Sequence, residues 1–351
     1  MKRLLLLTTI GVLFCVAFSQ GQNVFDPNDP IVRYNSGAAL GSPQNPNPNV
    51  AGLQKWVSIA ANGVSTGSGR FDASSFKAYF INFNGNRIAF RIKFPKTWSA
   101  NPGKKFPAML FMHGAGEPGC PSNGGFYENE RQLLHGGNLF RQRVDNGEFD
   151  GFLIYPQAQA GASCWSDWGT PSGNPPTNGA FEAILAMIDS MYKYVHLDRD
   201  RVIVTGLSNG GGAAWHLAAY FPQWVAKTAP SAAATGASNF NDFMQIPIWF
   251  SSGGKDNNPN PGFSNAVYNG LKNLGADIQF TLFEDLGHSV WYEHWQLPGF
   301  VQWMNDMHKA NPLVYFQRNE FCPGETVSAR LGISPGYYQY QWERNAEIIA
   351  T

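Results

Sequence analysis

Short apolar runs recur along the middle of the chain, each bounded by glycine, proline or polar residues. They lie at residues 107–113, 151–155, 201–204, 225–229, 246–251 and 278–283. Continuous apolar runs of about four to eight residues are typical of strands that are buried on both faces of a sheet. The pattern therefore predicts a series of strands belonging to a mostly parallel sheet.

Helical patterns separate several of these runs. Residues 181–195 carry one apolar stripe, formed by Phe181, Ile184, Leu185, Ile188, Met191 and Val195. Residues 213–220 and 296–308 also favour helices, the second of them closing the domain. Strands that alternate with helices predict an α/β fold, in which helices cover both faces of a mostly parallel sheet. Upstream, residues 75–83 and 87–94 alternate around Asn84-Gly85-Asn86, which predicts an N-terminal antiparallel hairpin.

The N-terminal residues have the pattern of an export signal. Met1-Lys2-Arg3 precedes an apolar stretch at residues 4–18, which is too short to span a bilayer. We predict a signal peptide at residues 1–19, an extracellular or cell-surface location and no membrane span. Residues 20–70 are rich in proline and asparagine, and we expect this extension to lie over the surface of a domain at residues 71–310 rather than build its core.

The pattern changes again after Pro312. Residues 314–316, 326–331 and 337–342 alternate like antiparallel strands, and Cys322 precedes Trp342. This resembles the opening half of an immunoglobulin-like sandwich. We expect residues 311–351 to begin an all-β Ig-like module of a longer protein, which leaves open attachment to the cell surface through modules beyond Thr351.

The most informative motif is Gly206-x-Ser208-x-Gly210, which lies between an apolar run and a helical stretch. A serine on a sharp turn from strand to helix requires small residues two positions away on either side, since larger side chains would collide with the neighbouring elements. Such a turn exposes the serine hydroxyl and directs the amide of the next residue, Asn209, to the same place. We predict that Ser208 is a nucleophile.

A serine nucleophile requires a base and a carboxylate that orients the base. Asp256 follows the apolar run at residues 246–251, and His288 follows the run at residues 278–283. The carboxyl ends of neighbouring parallel strands lie at one edge of a sheet, so these side chains can converge on Ser208. Asp242 and Asp285 are alternatives for the acid, but Asp242 precedes its strand and Asp285 is very close in sequence to His288.

A second turn predicts the remaining donor of an oxyanion hole. His113-Gly114-Ala115-Gly116 ends the apolar run at residues 107–113. In α/β-hydrolases such a turn supplies an amide, here that of Gly114 or Ala115, beside the amide of Asn209. We expect His113 to support this turn rather than to act as a base.

Composition and charge exclude other classes of function. Lysine plus arginine and aspartate plus glutamate number 25 each, so there is no basic surplus to support binding of nucleic acid. The chain contains no H-E-x-x-H motif and no C-x-x-C pair, and its seven histidines are scattered. We therefore expect no metal and no cofactor.

These motifs resemble those of a group of secreted esterases. The group comprises polyhydroxybutyrate-depolymerase-like, feruloyl and acetylxylan esterases, and it grades into predicted peptidases of prolyl-oligopeptidase type. The stretches that carry the likeness are residues 111–119, 132–137, 155–157, 164–165, 205–211 and 286–291. The resemblance implies an α/β-hydrolase fold with Ser208, Asp256 and His288 as a catalytic triad. The chain departs from this pattern before Asp256, where Gly253-Gly254 replaces the more usual His-Gly pair.

Cysteines and tryptophans follow several of the predicted strands. In the sheet order of this fold, Cys120 and Cys164 follow neighbouring strands, so a disulfide between them is reasonable, although both could be free thiols. Cys322 would then have its partner beyond Thr351. Trp165, Trp168 and Trp291 lie on loops at the carboxyl edge, where they could bind a sugar or phenolic ring or simply belong to the core.

The function that these expectations favour is that of a secreted serine carboxylesterase acting on acyl or feruloyl esters of plant cell-wall polysaccharide. A secreted serine peptidase with the same triad is one alternative. A carbohydrate-binding module whose triad is inactive is another.

Overall fold

The computed structural model describes most of the chain from residue 23 onward. The described residues are 23–29, 34–56, 64–65, 70–71, 75–120, 130–160, 168, 179–236, 240–243, 246–307, 309, 314–316, 322–326, 330–333, 341–344 and 347–350. The predicted signal peptide at residues 1–19 lies outside these ranges, as do Trp165 and Cys164. The export signal stays a prediction.

Fifteen strands are present in the described residues. They are β1 Gly52–Trp56, β2 Val64–Ser65, β3 Arg70–Phe71, β4 Lys77–Phe83, β5 Asn86–Lys93, β6 Phe106–Met112, β7 Phe152–Gln157, β8 Leu197–Leu207, β9 Lys227–Ser231, β10 Ile248–Gly253, β11 Ile278–Phe283, β12 Val314–Phe316, β13 Leu331–Ile333, β14 Trp342–Arg344 and β15 Glu347–Ala350. The α-helices of the same ranges are α1 Gly137–Asn146, α2 Ala180–Val195, α3 Asn209–Tyr220, α4 Pro261–Asn273, α5 Trp291–Trp295 and α6 Phe300–Asn305.

Nine of the strands form one mixed sheet in the order β1-β4-β5-β7-β6-β8-β9-β10-β11. The strands from β7 to β11 in that order pair in parallel, and the three pairings at the other edge are antiparallel. The hairpin of β4 and β5 turns at Asn84 and Gly85, which both have positive φ. The predicted mostly parallel sheet with an antiparallel N-terminal hairpin is confirmed.

Helices cover both faces of this sheet. The predicted apolar stripe of α2 is buried in one core cluster together with α3, and the other face packs against α1, α5 and α6. The inner parallel strands, such as β6 and β7, are therefore buried on both sides, which explains why their sequences read as continuous apolar runs, whereas the edge strand β11 is only partly buried. Within the described residues, no helix has the length and apolar content needed to cross a membrane.

The helix predicted at residues 296–308 is wrong in its extent. Of the predicted range only Phe300–Asn305, the short helix α6, is helical; α5 ends at Trp295, and Pro298-Gly299 lies between the two helices. Proline cannot donate a main-chain hydrogen bond, and Gly299 has a φ of 83°, a left-handed conformation that ends a regular helix.

The N-terminal extension is more integrated than its composition predicts. β1 pairs with β4 as an edge strand of the sheet. Phe25 is buried in the core cluster and packs edge-on against Tyr79, with 5.0 Å between the ring centroids. A few apolar residues among the prolines and asparagines thus attach the extension to the sheet.

The C-terminal residues form two antiparallel pairs, β12 with β13 and β14 with β15. β12 matches its predicted bounds. The strands predicted at residues 326–331 and 337–342 lie partly outside the described residues, which contain strands at Leu331–Ile333 and Trp342–Arg344. The Ig-like assignment and the domain boundaries stay predictions.

Candidate active site

Ser208 occupies a sharp turn between β8 and α3. Its backbone has φ 53° and ψ −120°, a strained conformation for a residue with a side chain. A Cβ on Gly206 would lie 2.5 Å from the carbonyl oxygen of Gly210, and a Cβ on Gly210 would lie 2.1 Å from that of Met112. The two glycines of the motif are therefore required by close approaches of the backbone, as the sequence predicted.

The structure brings the three predicted catalytic side chains together. The Nε2 atom of His288 lies 2.9 Å from the Oγ atom of Ser208. The Nδ1 atom of His288 lies 2.7 Å from the Oδ2 atom of Asp256. When Nδ1–H donates to the carboxylate, Nε2 is free to accept the proton of the serine hydroxyl. This arrangement can activate a hydroxyl for attack on a carbonyl group.

Asp256 is held at the carboxyl end of β10. Its side chain is 5% exposed, and its Oδ1 atom accepts a hydrogen bond of 2.9 Å from the amide of Asn258. The alternative Asp285 is 95% exposed and faces Lys255, with 3.2 Å between the charged atoms. Of the carboxylates considered from the sequence, Asp256 is the one that contacts the imidazole.

Gly253-Gly254, the departure from the usual pattern, has a packing role. A Cβ on Gly253 would lie 2.0 Å from the carbonyl oxygen of Gly287, and one on Gly254 would lie 2.3 Å from that of Glu284. The end of β10 therefore lies directly against the loop that carries His288. Two glycines permit this close approach and so bring the loops of Asp256 and His288 together.

The turn at residues 113–116 lies against the start of α3. A Cβ on Gly210 would lie 2.4 Å from the carbonyl oxygen of His113, and one on Gly114 would lie 3.0 Å from the side chain of Leu207. Asn209 is the first residue of α3, where main-chain amides have no acceptor within the helix. The turn that carries Gly114 and Ala115 therefore lies against the first turn of α3, and the roles of Asn209, Gly114 and Ala115 as oxyanion donors stay predictions.

His113 supports this turn, as predicted, and is not aligned with Ser208. Its Nε2 atom accepts the amide of Ala158 at 3.1 Å, so Nδ1 carries the proton and donates to the carbonyl oxygen of Gly114 at 2.6 Å. Burial lowers the pKa of His113 to about 4, although the hydrogen bond to Gly114 opposes the shift. The imidazole is therefore neutral and fixed in one orientation.

The tryptophans predicted to bind substrate differ in their positions. Trp168 is 1% exposed, and its indole nitrogen donates to the carbonyl oxygen of His113 at 2.9 Å. It packs against the turn at residues 113–116, which favours the core role that the sequence left open, and its contact with substrate stays a prediction. Trp291 is 8% exposed and lies edge-on to His288, with 6.0 Å between centroids. Trp165 lies outside the described residues.

Two residues that the sequence did not single out also belong to the site. His135 follows the short 3₁₀ helix Arg131–Leu133 and lies edge-on to Trp291, with 5.2 Å between centroids. Gln157, at the end of β7, donates to the carbonyl oxygen of Glu117 at 3.2 Å. Both lie in stretches that carried the family resemblance, but no spacing rule indicated their contacts.

Cys120 is 2% exposed, and Cys164 lies outside the described residues, so the predicted disulfide stays a prediction. Among the residues that the structure describes, no three histidine, cysteine, aspartate or glutamate side chains are grouped as a metal site.

A mixed sheet with an elbow serine, followed along the chain by an aspartate and a histidine at successive strand ends, is the arrangement of the α/β-hydrolases. By fold, the chain is an α/β-hydrolase. Residues 169–298 match the Dienelactone hydrolase family. A comparison with curated protein sequences finds no match.

Solved structures that are similar to this chain include several hydrolases. A thermostable esterase is 24% identical with a TM-score of 0.58, and the match covers 67% of this chain and 63% of that one. A ferulic acid esterase is 19% identical with a TM-score of 0.47, covering 65% and 98%. The Pyrococcus horikoshii acylaminoacyl peptidase is 13% identical with a TM-score of 0.48, covering 67% and 42%. The chain thus spans less than two thirds of the thermostable esterase.

Proposed function

We propose that this protein is a serine carboxylesterase that hydrolyses its substrate through an acyl-enzyme. The observation that carries the proposal is the hydrogen-bonded series from Ser208 through His288 to Asp256. Ser208 lies on the strained turn that exposes its hydroxyl. The turn at residues 113–116, the oxyanion turn, packs against the start of α3, the helix that follows Ser208. All the parts that acyl transfer requires are therefore adjacent.

In the first half of the reaction, the Oγ atom of Ser208 attacks the ester carbonyl while Nε2 of His288 takes the hydroxyl proton. The carbonyl oxygen becomes an oxyanion, which accepts hydrogen bonds from the amide of Asn209 and from that of Gly114 or Ala115. The tetrahedral intermediate then expels the alcohol, which leaves with the proton from His288. Asp256 keeps the imidazole in the required tautomer and stabilises its positive charge.

In the second half, water replaces the alcohol. The oxygen of this water attacks the acyl-enzyme carbonyl while His288 takes a proton from the water. The second tetrahedral intermediate releases the carboxylic acid, and His288 returns a proton to Ser208. No cofactor or metal enters either half of the reaction.

We further propose that the substrate is an acyl or feruloyl ester on plant cell-wall polysaccharide and that the protein is exported. The side chain of His288 is 40% exposed, so the reacting centre is open to a group attached to a polymer. Trp291 places an aromatic ring beside His288, and the ring of His135 packs in turn against Trp291. The predicted signal peptide supports export, where a disulfide between Cys120 and Cys164 would be stable.

A substrate panel tests this proposal. We expect the protein without residues 1–19 to hydrolyse p-nitrophenyl acetate and methyl ferulate in preference to peptide anilides. A fluorophosphonate probe should label it, and Ser208→Ala should abolish both labelling and turnover. Preferred cleavage of anilides would favour the peptidase alternative. A wild-type protein that stays unlabelled and inactive would favour a binding module and refute the proposal.

A further inference from the structure

A surface cleft lies at the edge of the sheet where the parallel strands begin. It is lined by Lys105, which directly precedes β6, by the first residues of β8, by the last turn of α2 and by the short 3₁₀ helix Pro222–Trp224. Ser208 follows the other end of β8. Most of the 11 residues of that strand separate Ser208 from Arg199 in the cleft, which at about 3.3 Å per residue is roughly 30 Å. The cleft is therefore separate from the catalytic triad.

Two aromatic rings in the cleft are held in place by one arginine. The guanidinium carbon of Arg199 lies 4.5 Å from the ring centroid of Tyr192 and 4.6 Å from that of Trp224. Arg199 also forms an ion pair with Asp189, on α2. Trp224 packs against the core, whereas Tyr192 is 40% exposed. The cleft thus presents an aromatic side chain whose neighbours fix its orientation.

The polar side chains of the cleft carry both signs of charge. Lys105 and Arg199 are cations, Asp198 and Asp200 are anions, and Gln223 adds an amide. These charges cancel, so the cleft does not favour a strongly charged ligand. Carboxylates accept hydrogen bonds, ammonium and guanidinium groups donate them, and an amide does both. This combination suits a neutral ligand with many hydroxyl groups.

The main chain beneath these side chains is tied down by Lys309, which is 6% exposed. Its amide donates to the carbonyl oxygen of Asp200 at 2.9 Å, and its ammonium group donates to the carbonyl oxygen of Gln223. The Oδ1 atom of Asp198 accepts the amide of Asp200 at 3.1 Å. A cleft that is already ordered loses little conformational entropy when a ligand binds.

We propose that this cleft is a second binding site, which takes a neutral sugar segment of the polysaccharide that carries the ester. A pyranose ring can pack its apolar C–H face on Tyr192 while its hydroxyl groups bond to Asp198, Asp200 and Gln223. The cleft has a volume of about 320 Å³, within the range of about 300–1,000 Å³ that small-molecule sites occupy.

The distance from Ser208 gives this sugar site its role. A group roughly 30 Å from the nucleophile takes no part in the reaction, so the cleft holds another part of the same polymer and raises the local concentration of ester at the triad. The identity of the polymer rests on the proposed function, whereas the binding of sugar to the cleft does not. The two proposals can therefore be tested apart.

The experiment measures binding of soluble arabinoxylan and mixed-linkage β-glucan by affinity electrophoresis, with polygalacturonate as the charged comparison. All proteins carry Ser208→Ala, so that no ester is cleaved. Tyr192→Ala removes the exposed ring and Tyr192→Phe keeps it, whereas Gln223→Ala removes a polar contact from an exposed position. Phe263→Ala is the control, because Phe263 is 42% exposed and lies on α4, outside the cleft.

We expect at least one of the two neutral polysaccharides to bind. Tyr192→Ala should raise its Kd by about tenfold, because most of the apolar area that a sugar ring covers in the cleft is lost with this side chain. Gln223→Ala should raise Kd by about threefold, and Tyr192→Phe and Phe263→Ala should stay within about twofold of the parent. With Ser208 restored, Tyr192→Ala should hydrolyse p-nitrophenyl acetate at the wild-type rate and release ferulate from feruloylated arabinoxylan with a lower kcat/KM.

Three results would overturn the inference: no binding of either neutral polysaccharide, tighter binding of polygalacturonate, or equal Kd values for the Tyr192→Ala and Phe263→Ala variants. A dimer in light scattering that Tyr192→Ala dissociates would also overturn it, since the cleft would then be an interface between two copies of the chain. A wild-type protein that cleaves no ester but binds polysaccharide through Tyr192 would refute the esterase proposal and leave the sugar site standing.

Discussion

His294 makes the stability of this protein depend on pH. Its ring is fully buried next to Phe300, with 5.3 Å between the ring centroids, and within the described residues neither ring nitrogen has a hydrogen-bond partner. Burial lowers its pKa from 6.5 to about 3. The imidazole is therefore neutral in the folded protein over the whole range in which an unfolded chain becomes protonated.

The sign and the size of the effect follow from proton linkage. Between pH 6.5 and about 3 the unfolded state binds more protons than the folded state, so stability falls as the pH falls. A pH of 5.0 lies 1.5 units below the pKa of 6.5 of the unfolded histidine. Each unit lowers the free energy of unfolding by about 1.36 kcal/mol, so the loss of stability at pH 5.0 is about 2 kcal/mol. The magnitude hardly depends on the folded pKa as long as that pKa is well below 5.

The test compares His294→Phe with the wild type in urea unfolding, followed by tryptophan fluorescence at pH 7.5 and 5.0. Phenylalanine suits the aromatic surroundings and cannot bind a proton. At each pH the free energy of unfolding of the wild type is subtracted from that of the variant. We expect this difference to be about 2 kcal/mol larger at pH 5.0 than at pH 7.5. The pKa values of His113 and His135 are also lowered to about 4, so these residues make the stability of both proteins fall further at low pH. Their contributions cancel in the difference between variant and wild type.

A His294→Phe difference that is constant to within about 0.5 kcal/mol between the two pH values would refute the reasoning. It would mean that the folded protein accommodates the protonated ring.

Three further predictions concern the site. Asp256→Asn should lower kcat by about 10⁴-fold, because an amide cannot hold the imidazole in the productive tautomer; near-wild-type turnover would mean that another group orients the base. Gly210→Ala should disrupt the elbow and lower both the melting temperature and activity, since its Cβ would lie 2.1 Å from a main-chain oxygen, whereas Gly212→Ala, with nothing within 4 Å, should raise stability by about 0.5–1 kcal/mol. Equal melting temperatures for the Gly210→Ala and Gly212→Ala variants would contradict this role of Gly210. Intact-mass measurement after thiol alkylation should find Cys120 and Cys164 protected until a reductant is added, and alkylation without reductant would exclude the bridge.

Much of the fold could be predicted because its elements depend on local pattern. The inner parallel strands are recognisable as apolar runs, since both their faces are covered, and α2 is recognisable from a stripe that packs as expected. The breaks were harder to predict. Pro298-Gly299 precedes the closing helix and separates it from α5, and β1 joins the sheet from an extension whose composition indicated a surface segment.

The sequence alone determined the order of the chemistry: a serine between two indispensable glycines, then an aspartate, then a histidine, each after an apolar strand. These signals are local, because backbone crowding at a turn and burial of a strand constrain the residue types at adjacent positions. Only the tertiary structure decided which carboxylate contacts the imidazole, that Trp168 lies beneath the oxyanion turn, and that Glu117 folds back onto Gly114. Those contacts join residues that are distant in the chain or depend on the path of a turn, and packing alone selects them.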